Sequence, residues 1–543
     1  MSATAETAHA ELWRAAILTF TSEQAYQNPF LDVEIWAVFT GPSGRIIRRE
    51  AYWDGGLTWR VSFAPTELGH WTWRIEAPAE TGLDGREGAL EAIPYSGELA
   101  IYRHGFLRVA PGGRFFEHAD GTPFFWLGDT HWEFAYGERW DASNHSGMES
   151  QFKGMVDLRV AQGYTVYQTN LRSDMGPGPA HFWMGAEDPG EHGENDVPNV
   201  AFYQDELDRR MSYIADAGLV NALGQAWCFA INQRGGIEHQ QHLARYLIAR
   251  YGALPVVWTL AGETAGYDLT PEVHRRHVDR WREVALEIVK RDGYGSLRTA
   301  HYTNERPFAD YYQDEEWFDF TLNQAGHGDY LITARDYAEF LAAHPVKPFV
   351  EGEALYEFCS TLEEMGTRLC TDDMLRRVAY IVMQLGGAGY TYGAQGIWDN
   401  VWEKPREMNP FFAIFNRFGV TWAEAVDGPG AVQMGHMRRF YEEARFWELA
   451  PVGPGDGGNL FASKAPLATA TSDRGRIVAY YADTARAKLS IDGVGDAATY
   501  RVRWFDPRQG TYADGEEVHA DRDAIILPPK PGLGDWLAVL ERV

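Results

Sequence analysis

Alternation of hydrophobic and polar residues divides the chain into three stretches. From about residue 11 to 100, short alternating segments such as VEIWAVF, TWRVSF and HWTWRIEA are separated by the turn sequences GPSG, DGG and PTELG. A period of two is typical of half-buried strands, so this stretch predicts a β-sandwich over residues 1–105. The tail repeats the pattern in RIVAYYA, TYRVRWFD and WLAVLE, which predicts a second, smaller β-sandwich over residues 456–543.

The central stretch, residues 106–455, alternates apolar strand-like runs with helical patterns. The helical pattern is clearest in HRRHVDRWREVALEIVKRDG, where a glycine stands at the expected helix C-terminus. Eight runs are strand candidates: PFFWLGD, GYTVYQTN, GLVNALGQAW, PVVWTLAGE, LRTAHYT, WFDFTLNQAGH, KPFVEGE and AGYTYG. Eight strands alternating with helices predict the α/β class and, within it, a (β/α)8 TIM barrel.

Two glutamates stand where such a barrel places its chemistry, at the C-terminal ends of strands. PVVWTLAGE ends at Glu263 and KPFVEGE ends at Glu353. At roughly 30 residues per βα unit they fall on the fourth and seventh strands, which face each other across the barrel mouth. Cleavage of a glycosidic bond needs such a pair, one carboxyl to protonate the leaving oxygen and one to attack or to activate water. The alternative is a pair of salt-bridged acids at the rim.

The neighbours of Glu353 on the seventh strand are also informative. Strand alternation predicts that Glu351 lies on the same face as Glu353, one layer deeper. Gly352 between them allows the backbone to approach a neighbouring strand closely.

Other polar and aromatic residues at strand ends are candidates for binding sugar hydroxyls and sugar faces. For each of them, a purely structural role is the alternative. The candidates are Asp129, His131, Trp132, Asn170, Arg172, Trp227, His301, Tyr302, Gln324, His327, Tyr392 and Trp398.

The loop after the second strand, residues 173–199, is long and rich in Gly, Pro and acidic residues. Loops of that length are usually functional or disordered. His181, Phe182 and Trp183 are candidates to cap the substrate, and a cleft closed at one end favours release of a terminal sugar.

Composition narrows the range of partners and compartments. Lys and Arg number 49 against 77 Asp and Glu, a net charge of −28 that disfavours nucleic acid and anionic membranes. A basic leader followed by an apolar run is absent from the sequence, and the odd count of 3 Cys gives no disulfide framework, so we predict a cytoplasmic protein. The oligomeric state is left open, with a homo-oligomer as one possibility.

Other chemistries receive little support. The sequence has no GxSxG elbow, phosphate loop or dinucleotide fingerprint, so neither serine nor nucleotide chemistry is predicted. His239 with His242, and His274 with His277, have helical spacing on polar stretches, but neither pair has an acid placed as in a known zinc motif. We therefore interpret them as solvated helix faces and predict neither metal nor cofactor.

Four runs, FFWLGDTHWEF, RYGALPVVWTLAGE, KPFVEGEALYE and GGAGYTYGAQGIWDN, resemble the apiosidase-like barrel family of glycoside hydrolases, which is related to clan A. The resemblance implies an N-terminal β-sandwich, a C-terminal β domain and a retaining mechanism with Glu263 as acid/base and Glu353 as nucleophile. Gly262 stands where many clan A enzymes have Asn, and Glu263 stands where the apiosidases have Asp. The longer side chain shifts the proton donor by about one methylene, so the sugar need not be apiose.

The sequence therefore predicts a retaining, exo-acting glycosidase with a carbohydrate substrate. A non-catalytic carbohydrate-binding protein and a transglycosylase using the same two carboxylates are the alternatives. The identity of the sugar and its anomeric configuration depend on the shape of the pocket.

Overall fold

The structure is a computed structural model, and it describes residues 8–135, 137–171, 182, 184, 196–232, 235–266, 270–302, 311–326, 340, 343–360, 368–404, 410–452, 466–482 and 488–543. Among the helices in these ranges, none combines the length and the apolar character that crossing a membrane requires.

The N-terminal β domain consists of two sheets packed face to face. Its strands are β1 (Ala8–Glu11), β2 (Ala16–Thr21), β3 (Trp36–Thr40), β4 (Ile46–Glu50), β5 (Tyr52–Trp53), β6 (Thr58–Phe63), β7 (Gly69–Glu76) and β8 (Glu87–Ile93). They form one sheet of order β1-β8-β7-β3-β4 and another of order β2-β6-β5. Phe39 and Phe63, from opposite sheets, stack at 3.7 Å in the shared core. The alternating pattern predicted this arrangement.

The central region contains a parallel sheet preceded by a small antiparallel one. Its strands are β9 (Leu107–Val109), β10 (Phe116–His118), β11 (Pro123–Phe124), β12 (Trp126–His131), β13 (Val166–Asn170), β14 (Val220–Gly224), β15 (Ala226–Trp227), β16 (Val256–Trp258), β17 (Ala261–Gly262), β18 (Thr321–Gln324), β19 (Phe349–Glu353) and β20 (Gly389–Tyr392). Seven of them form a sheet of order β16-β14-β13-β12-β20-β19-β18, and β15 pairs separately with β17. All of these neighbours are parallel, so the α/β class is confirmed.

The fifth predicted strand, LRTAHYT, is reduced to two single bridges. Arg298 bridges to Trp258 and His301 bridges to Leu322, both in parallel orientation. This run therefore lies between the fourth and sixth strand positions without forming a continuous ladder with either, and the described strands make up an open, half-barrel sheet.

The two faces of the parallel sheet have separate cores. Trp126, Val166, Val257, Leu322 and Val350 belong to a cluster on the inner face, together with residues of β9, β10 and β11. The larger cluster on the other face joins the sheet to the helices. Burial on both faces explains why the strand runs in the sequence are continuously apolar.

The helices are short at the edges of the chain and longest around the parallel sheet. They are α1 (Pro29–Asp32), α2 (Ala100–Arg103), α3 (Gln151–Gln162), α4 (Val200–Phe202), α5 (Asp208–Asp216), α6 (Gly236–Tyr251), α7 (Pro271–Arg291), α8 (Asp372–Gln384), α9 (Pro410–Phe415), α10 (Trp422–Ala425) and α11 (Pro429–Glu443). Ser150 caps α3 by accepting from the Lys153 N–H, and Gly163 ends it in a left-handed conformation. The predicted helix at 274–293 corresponds to α7, which begins at a proline suited to the first turn.

The C-terminal β domain contains β21 (Ala450–Val452), β22 (Leu467–Ala470), β23 (Arg476–Tyr481), β24 (Lys488–Ser490), β25 (Thr499–Asp506), β26 (Thr511–Asp521), β27 (Ala524–Ile526) and β28 (Trp536–Arg542). Hydrogen bonds join them into one sheet of order β21-β22-β23-β28-β25-β26-β27-β24. The predicted C-terminal β domain is present, and the long strand β26 connects its two ends by pairing with both β25 and β27.

Candidate active site

Glu263 follows β17 and is buried, with 6% of its surface exposed. Its φ of 53° is left-handed, which is uncommon outside glycine and is found most often at functional sites. Gln324 Nε2 donates to Glu263 Oε1 at 2.9 Å, whereas Oε2 has no hydrogen-bond partner among the described residues. Burial raises the pKa of Glu263 well above its usual range, and the nearby Glu353 carboxylate raises it further. Glu263 therefore favours its protonated form.

Glu353 ends β19, and His301 connects it to Glu263. His301 Nε2 lies 3.2 Å from Glu353 Oε2, and His301 Nδ1 accepts the backbone N–H of Glu263 at 3.4 Å. His301 therefore lies between the two glutamates, with Nε2 next to the Glu353 carboxyl group and Nδ1 next to the Glu263 backbone. The structure thus brings together four predicted site residues: Glu263, His301, Gln324 and Glu353.

A bulge at Gly352 turns the end of β19. Asn323 lies opposite Glu351, and the next residue, Gln324, lies opposite Glu353, so two steps along β19 match one step along β18. Asn323 and Gln324 are consecutive residues of β18, so their side chains face opposite sides of the sheet. Their partners Glu351 and Glu353 therefore face opposite sides too. The predicted placement of Glu351 on the face of Glu353 is wrong for this reason. A Cβ at position 352 would lie 2.5 Å from the leucine side chain of β18, which explains the glycine.

Glu351 ties the two strands together at this bulge. Its buried carboxyl group accepts from Asn323 Nδ2 at 2.6 Å and from the backbone N–H of Ala325 at 2.9 Å. The backbone N–H of Glu353 bonds to it as well. Burial raises the pKa of Glu351 to about 8, although these donors act in the opposite direction.

A Glu351→Ala substitution should lower kcat by about 10- to 100-fold, because Glu353 would lose the support of the bulge and a displacement of about 1 Å is enough for such a loss. Glu351→Gln keeps an acceptor oxygen and should lose much less. Steady-state kinetics on a hydrolysed glycoside and a thermal melt of each variant would test this. Glu50→Ala, at a buried carboxylate bonded to Arg245, is a control expected to lower stability but not kcat. Wild-type kcat in Glu351→Ala would show that the bulge does not depend on this residue.

An aromatic cluster lies beside the two glutamates. The ring of Trp132 is 5.5 Å from that of Trp227 and 5.6 Å from that of His301. Flat aromatic faces next to carboxylates are a common means of holding sugar rings. Of the predicted aromatic residues, the structure places three in this cluster, whose buried members are Trp132, Trp227, Tyr356, Cys359 and Trp398.

Tyr356 is a member of the site that sequence reasoning missed. Its hydroxyl accepts from Trp132 Nε1 at 3.2 Å and makes a hydrogen bond with Glu353. Burial and the Glu353 carboxylate raise the pKa of Tyr356 well above its usual range, so it keeps its proton. The one available signal was its position in KPFVEGEALYE, three residues after Glu353.

Asn170, a predicted sugar-binding residue, lies beside the strand that carries Glu263. Its Nδ2 donates to the carbonyl of Ala226 at 3.0 Å. A Cβ on Gly262 would come within 3.1 Å of that nitrogen and within 2.4 Å of Trp227 Cε3. Glycine precedes Glu263 because Trp227 and Asn170 already occupy the space of a side chain.

Asp129 and His131 do not lie at this site, contrary to prediction. Asp129 Oδ2 accepts from Arg159 Nε of α3 and from His131 Nε2, at 2.5 Å and 2.7 Å, and both predicted side chains are 0% exposed. His131 Nδ1 lies 2.7 Å from Glu138 Oε1. Burial opposes the charged form of His131, but the two carboxylates outweigh it and raise its pKa to about 9. Alternation along β12 turns these residues toward the helices, while Trp126 faces inward.

Tyr302 and Tyr392 are also part of the core between sheet and helices rather than sugar platforms. Tyr302 stacks on Tyr311 at 5.7 Å, and the Tyr392 hydroxyl donates to Glu357 at 2.6 Å. Phe182, a predicted cap, packs in the same core. Four further predicted residues lie outside the described residues: Arg172, His181, Trp183 and His327.

The two histidine pairs are not solvated faces. His239, His274 and His277 are buried, and Asp196 Oδ1 and Oδ2 each lie 2.7 Å from Nδ1 of His239 and His242, respectively. Asp196 comes from a separate segment, so no local sequence pattern connects it with these histidines. Within the described ranges, no three His, Cys, Asp or Glu side chains are arranged to hold a metal ion.

Comparisons with known proteins agree with this geometry. The Apiosidase-like catalytic domain matches residues 110–448, and a domain of unknown function, DUF5060, matches residues 9–78. No curated protein sequence matches the chain.

Solved structures show the same fold. A candidate glycoside hydrolase from Bacteroides vulgatus ATCC 8482 has a TM-score of 0.72 at 16% identity, covering 99% of this chain and 100% of its own. A family 5 glycoside hydrolase from the same strain has a TM-score of 0.65 at 20% identity, covering 81% of this chain and 94% of its own. The family match extends over more than half of the sequence, so this chain belongs to the apiosidase-like family of glycoside hydrolases.

Proposed function

We propose that the protein is a retaining, exo-acting glycosidase that releases a terminal sugar from a small glycoside or oligosaccharide. Glu263 is the acid/base and Glu353 the nucleophile. One observation carries the proposal: two buried glutamates interact at the carboxyl ends of the fourth and seventh strand runs, and burial together with the second carboxylate favours protonated Glu263. Pairs of carboxyl groups whose environments separate their pKa values typically divide the acid and base roles.

In the first step, a Glu353 oxygen attacks the anomeric carbon while Glu263 gives its proton to the leaving glycosidic oxygen. The carbon–oxygen bond to the leaving group breaks, an ester to Glu353 forms, and the alcohol departs. Glu263 is then ionised. Gln324, which donates to Glu263 Oε1, stabilises that carboxylate.

In the second step, Glu263 removes a proton from water and the resulting oxygen attacks the anomeric carbon. The bond to Glu353 breaks, and its electron pair returns to the carboxylate. His301 Nε2 lies 3.2 Å from a Glu353 carboxyl oxygen, close enough to support the return of negative charge. Both residues end in their starting states.

A retaining mechanism predicts both the distance between the two carboxyl groups and the anomeric configuration of the product. A nucleophile that touches the anomeric carbon leaves no room for an intervening water, so the Glu263 and Glu353 carboxyl groups should lie about 5 to 5.5 Å apart in a crystal structure. Proton NMR of the first product should show the anomer of the substrate. The opposite anomer, with a separation of roughly 6.5 to 9.5 Å, would indicate inversion.

Exo action is supported by the length of the loop at residues 173–199 and by the aromatic cluster beside the glutamates. Digestion of an oligosaccharide should yield a single sugar from the first minutes. An early mixture of internal fragments would contradict exo action while leaving the catalytic pair unaffected.

A panel of activated aryl glycosides, covering pentosides and hexosides in both ring sizes and both anomeric configurations, tests the function. Wild type should release the aryl group from at least one member, and Glu353→Gln should not. A non-catalytic carbohydrate-binding protein would bind sugars and release nothing. A transglycosylase would transfer the sugar to an added acceptor, which mass spectrometry detects.

The same proposal includes the finer architecture. We propose that the sheet closes into an eight-stranded barrel through residues 297–302, because their two bridges reach both neighbouring strands in parallel orientation. Domain limits of 1–105, 106–455 and 456–543 and a cytoplasmic location remain predictions. All three cysteines are buried thiols, which is compatible with a reducing compartment.

A further inference from the structure

We propose that Tyr356 is the positioning residue of the nucleophile, holding Glu353 through a hydroxyl proton whose direction Trp132 fixes. This inference rests on the proposed function, since it takes Glu353 as the nucleophile. It assigns Trp132 a role in ordering the site besides any contact it makes with a sugar.

The hydrogen-bond capacity of a phenol fixes the direction of that proton. Tyr356 has one proton to donate and two lone pairs to accept with. The Trp132 indole N–H can only donate, so it occupies one lone pair, at 3.2 Å. Glu353 as a carboxylate can only accept, so the Tyr356 proton must point to it.

Burial prevents water from replacing this arrangement. Thr130, Trp132 and Tyr356 are 0%, 4% and 1% exposed, and Trp132 and Tyr356 belong to the aromatic cluster beside the glutamates. A hydrogen bond to a charged group is strong and short when water is excluded, so the donor both orients the carboxylate and stabilises its charge.

The consequences differ between the two chemical steps. Glu353 loses its negative charge when the ester forms and regains it when water releases the sugar. A donor aimed at its oxygen therefore stabilises the leaving carboxylate in the second step. Without the Tyr356 hydroxyl the ester should persist longer, so kcat should fall more than kcat/KM, and KM should fall with it.

The Tyr356→Phe variant tests this on an activated aryl glycoside that wild type hydrolyses. We expect kcat to drop by about 10- to 100-fold and a burst of aryl release to appear. The titratable groups near Glu353 are Glu263, His301, Glu351, Tyr356 and Cys359. Loss of a hydrogen-bond donor disfavours the ionised form of Glu353 and raises its pKa. The acidic limb of the kcat/KM profile should therefore move up by about one pH unit.

Two further variants separate this role from packing. The Tyr380 hydroxyl is buried without a hydrogen-bond partner among the described residues, so Tyr380→Phe is the matched control and should change neither kcat nor the acidic limb. Trp132→Phe frees a lone pair of Tyr356. Its effect on kcat should be clearly smaller in the Tyr356→Phe background than alone, because the two residues act as a unit.

Each unfavourable result has a distinct meaning. An unmoved acidic limb and near-wild-type kcat in Tyr356→Phe would overturn the inference. If Tyr356→Phe melts far below wild type, the test rests on Trp132→Phe alone. An unshifted pH profile together with a wild-type kcat in Trp132→Phe would then overturn the inference. Retained activity in Glu353→Gln would instead refute the proposed nucleophile, whatever the tyrosine variants show.

Discussion

The Glu353→Gln variant is expected to lose several orders of magnitude in turnover while keeping its fold. The amide nearly preserves the volume and the hydrogen-bond acceptor of the carboxylate, but it cannot attack the anomeric carbon. A residual rate above about a tenth of wild type corresponds to a change of only about 1.4 kcal/mol in the activation barrier, too little for removal of a nucleophile. Aryl release under substrate saturation, with a thermal melt of the same preparation, measures both quantities.

Glu357→Gln is a suitable control, since it removes a buried carboxylate only four residues further along. Glu357 accepts from the Tyr392 hydroxyl and from the Gly430 N–H on the helix side of the sheet. This substitution should lower the melting temperature and leave the chemical step nearly intact. Equal loss of turnover in both variants would show that any disturbance of this segment inactivates the enzyme, and the assignment of Glu353 would fail.

Periodicity and strand counting were sufficient to predict that Glu263 and Glu353 lie close to each other. Both glutamates follow apolar runs, and parallel strands bring their carboxyl ends to one edge of the sheet. The sheet order places β16 and β19 far apart along the open sheet, yet Glu263 and Glu353 interact because the sheet curves. His301 and Gln324 were found by the same reasoning, since they also follow strand runs.

The faces of individual side chains could not be predicted as well. Asp129 and His131 follow an apolar run as Glu263 does. Whether such a side chain points to the barrel mouth or to the helices depends on whether its position along the strand is even or odd. In a sheet buried on both faces, hydrophobicity does not distinguish the two. The bulge at Gly352 adds one residue to β19 and so interrupts the alternation. Strand alternation therefore predicted the wrong face for Glu351.

Contacts between distant segments lie outside what one sequence reveals. Tyr356 is defined by its bonds to Trp132 and Glu353, and Asp196 by its bonds to two histidines of α6. Neither forms a local motif. The single sheet of the C-terminal β domain depends similarly on β26 being long enough to pair twice.

Glu263 is expected to limit activity at alkaline pH. It must be protonated to assist the leaving group, and both burial and the Glu353 carboxylate raise its pKa. The protonated form, and with it activity, is therefore present below that pKa and is lost as pH rises through it. Profiles of kcat/KM should be bell-shaped, with the alkaline limb belonging mainly to Glu263 and moving or vanishing in Glu263→Ala.

Leaving-group dependence tests the same residue independently of pH. A dinitrophenyl group departs with little protonation, whereas an alkyl group needs the proton of Glu263, so Glu263→Ala should slow the alkyl glycoside by about 10²- to 10⁴-fold more in the first step. External azide should then rescue turnover of the activated substrate, because the small anion enters the vacated space, attacks the ester without base assistance and yields a glycosyl azide. Equal losses on both substrates without azide rescue would exclude Glu263 as the acid/base. The search would then move to Glu351, the other buried glutamate beside the nucleophile.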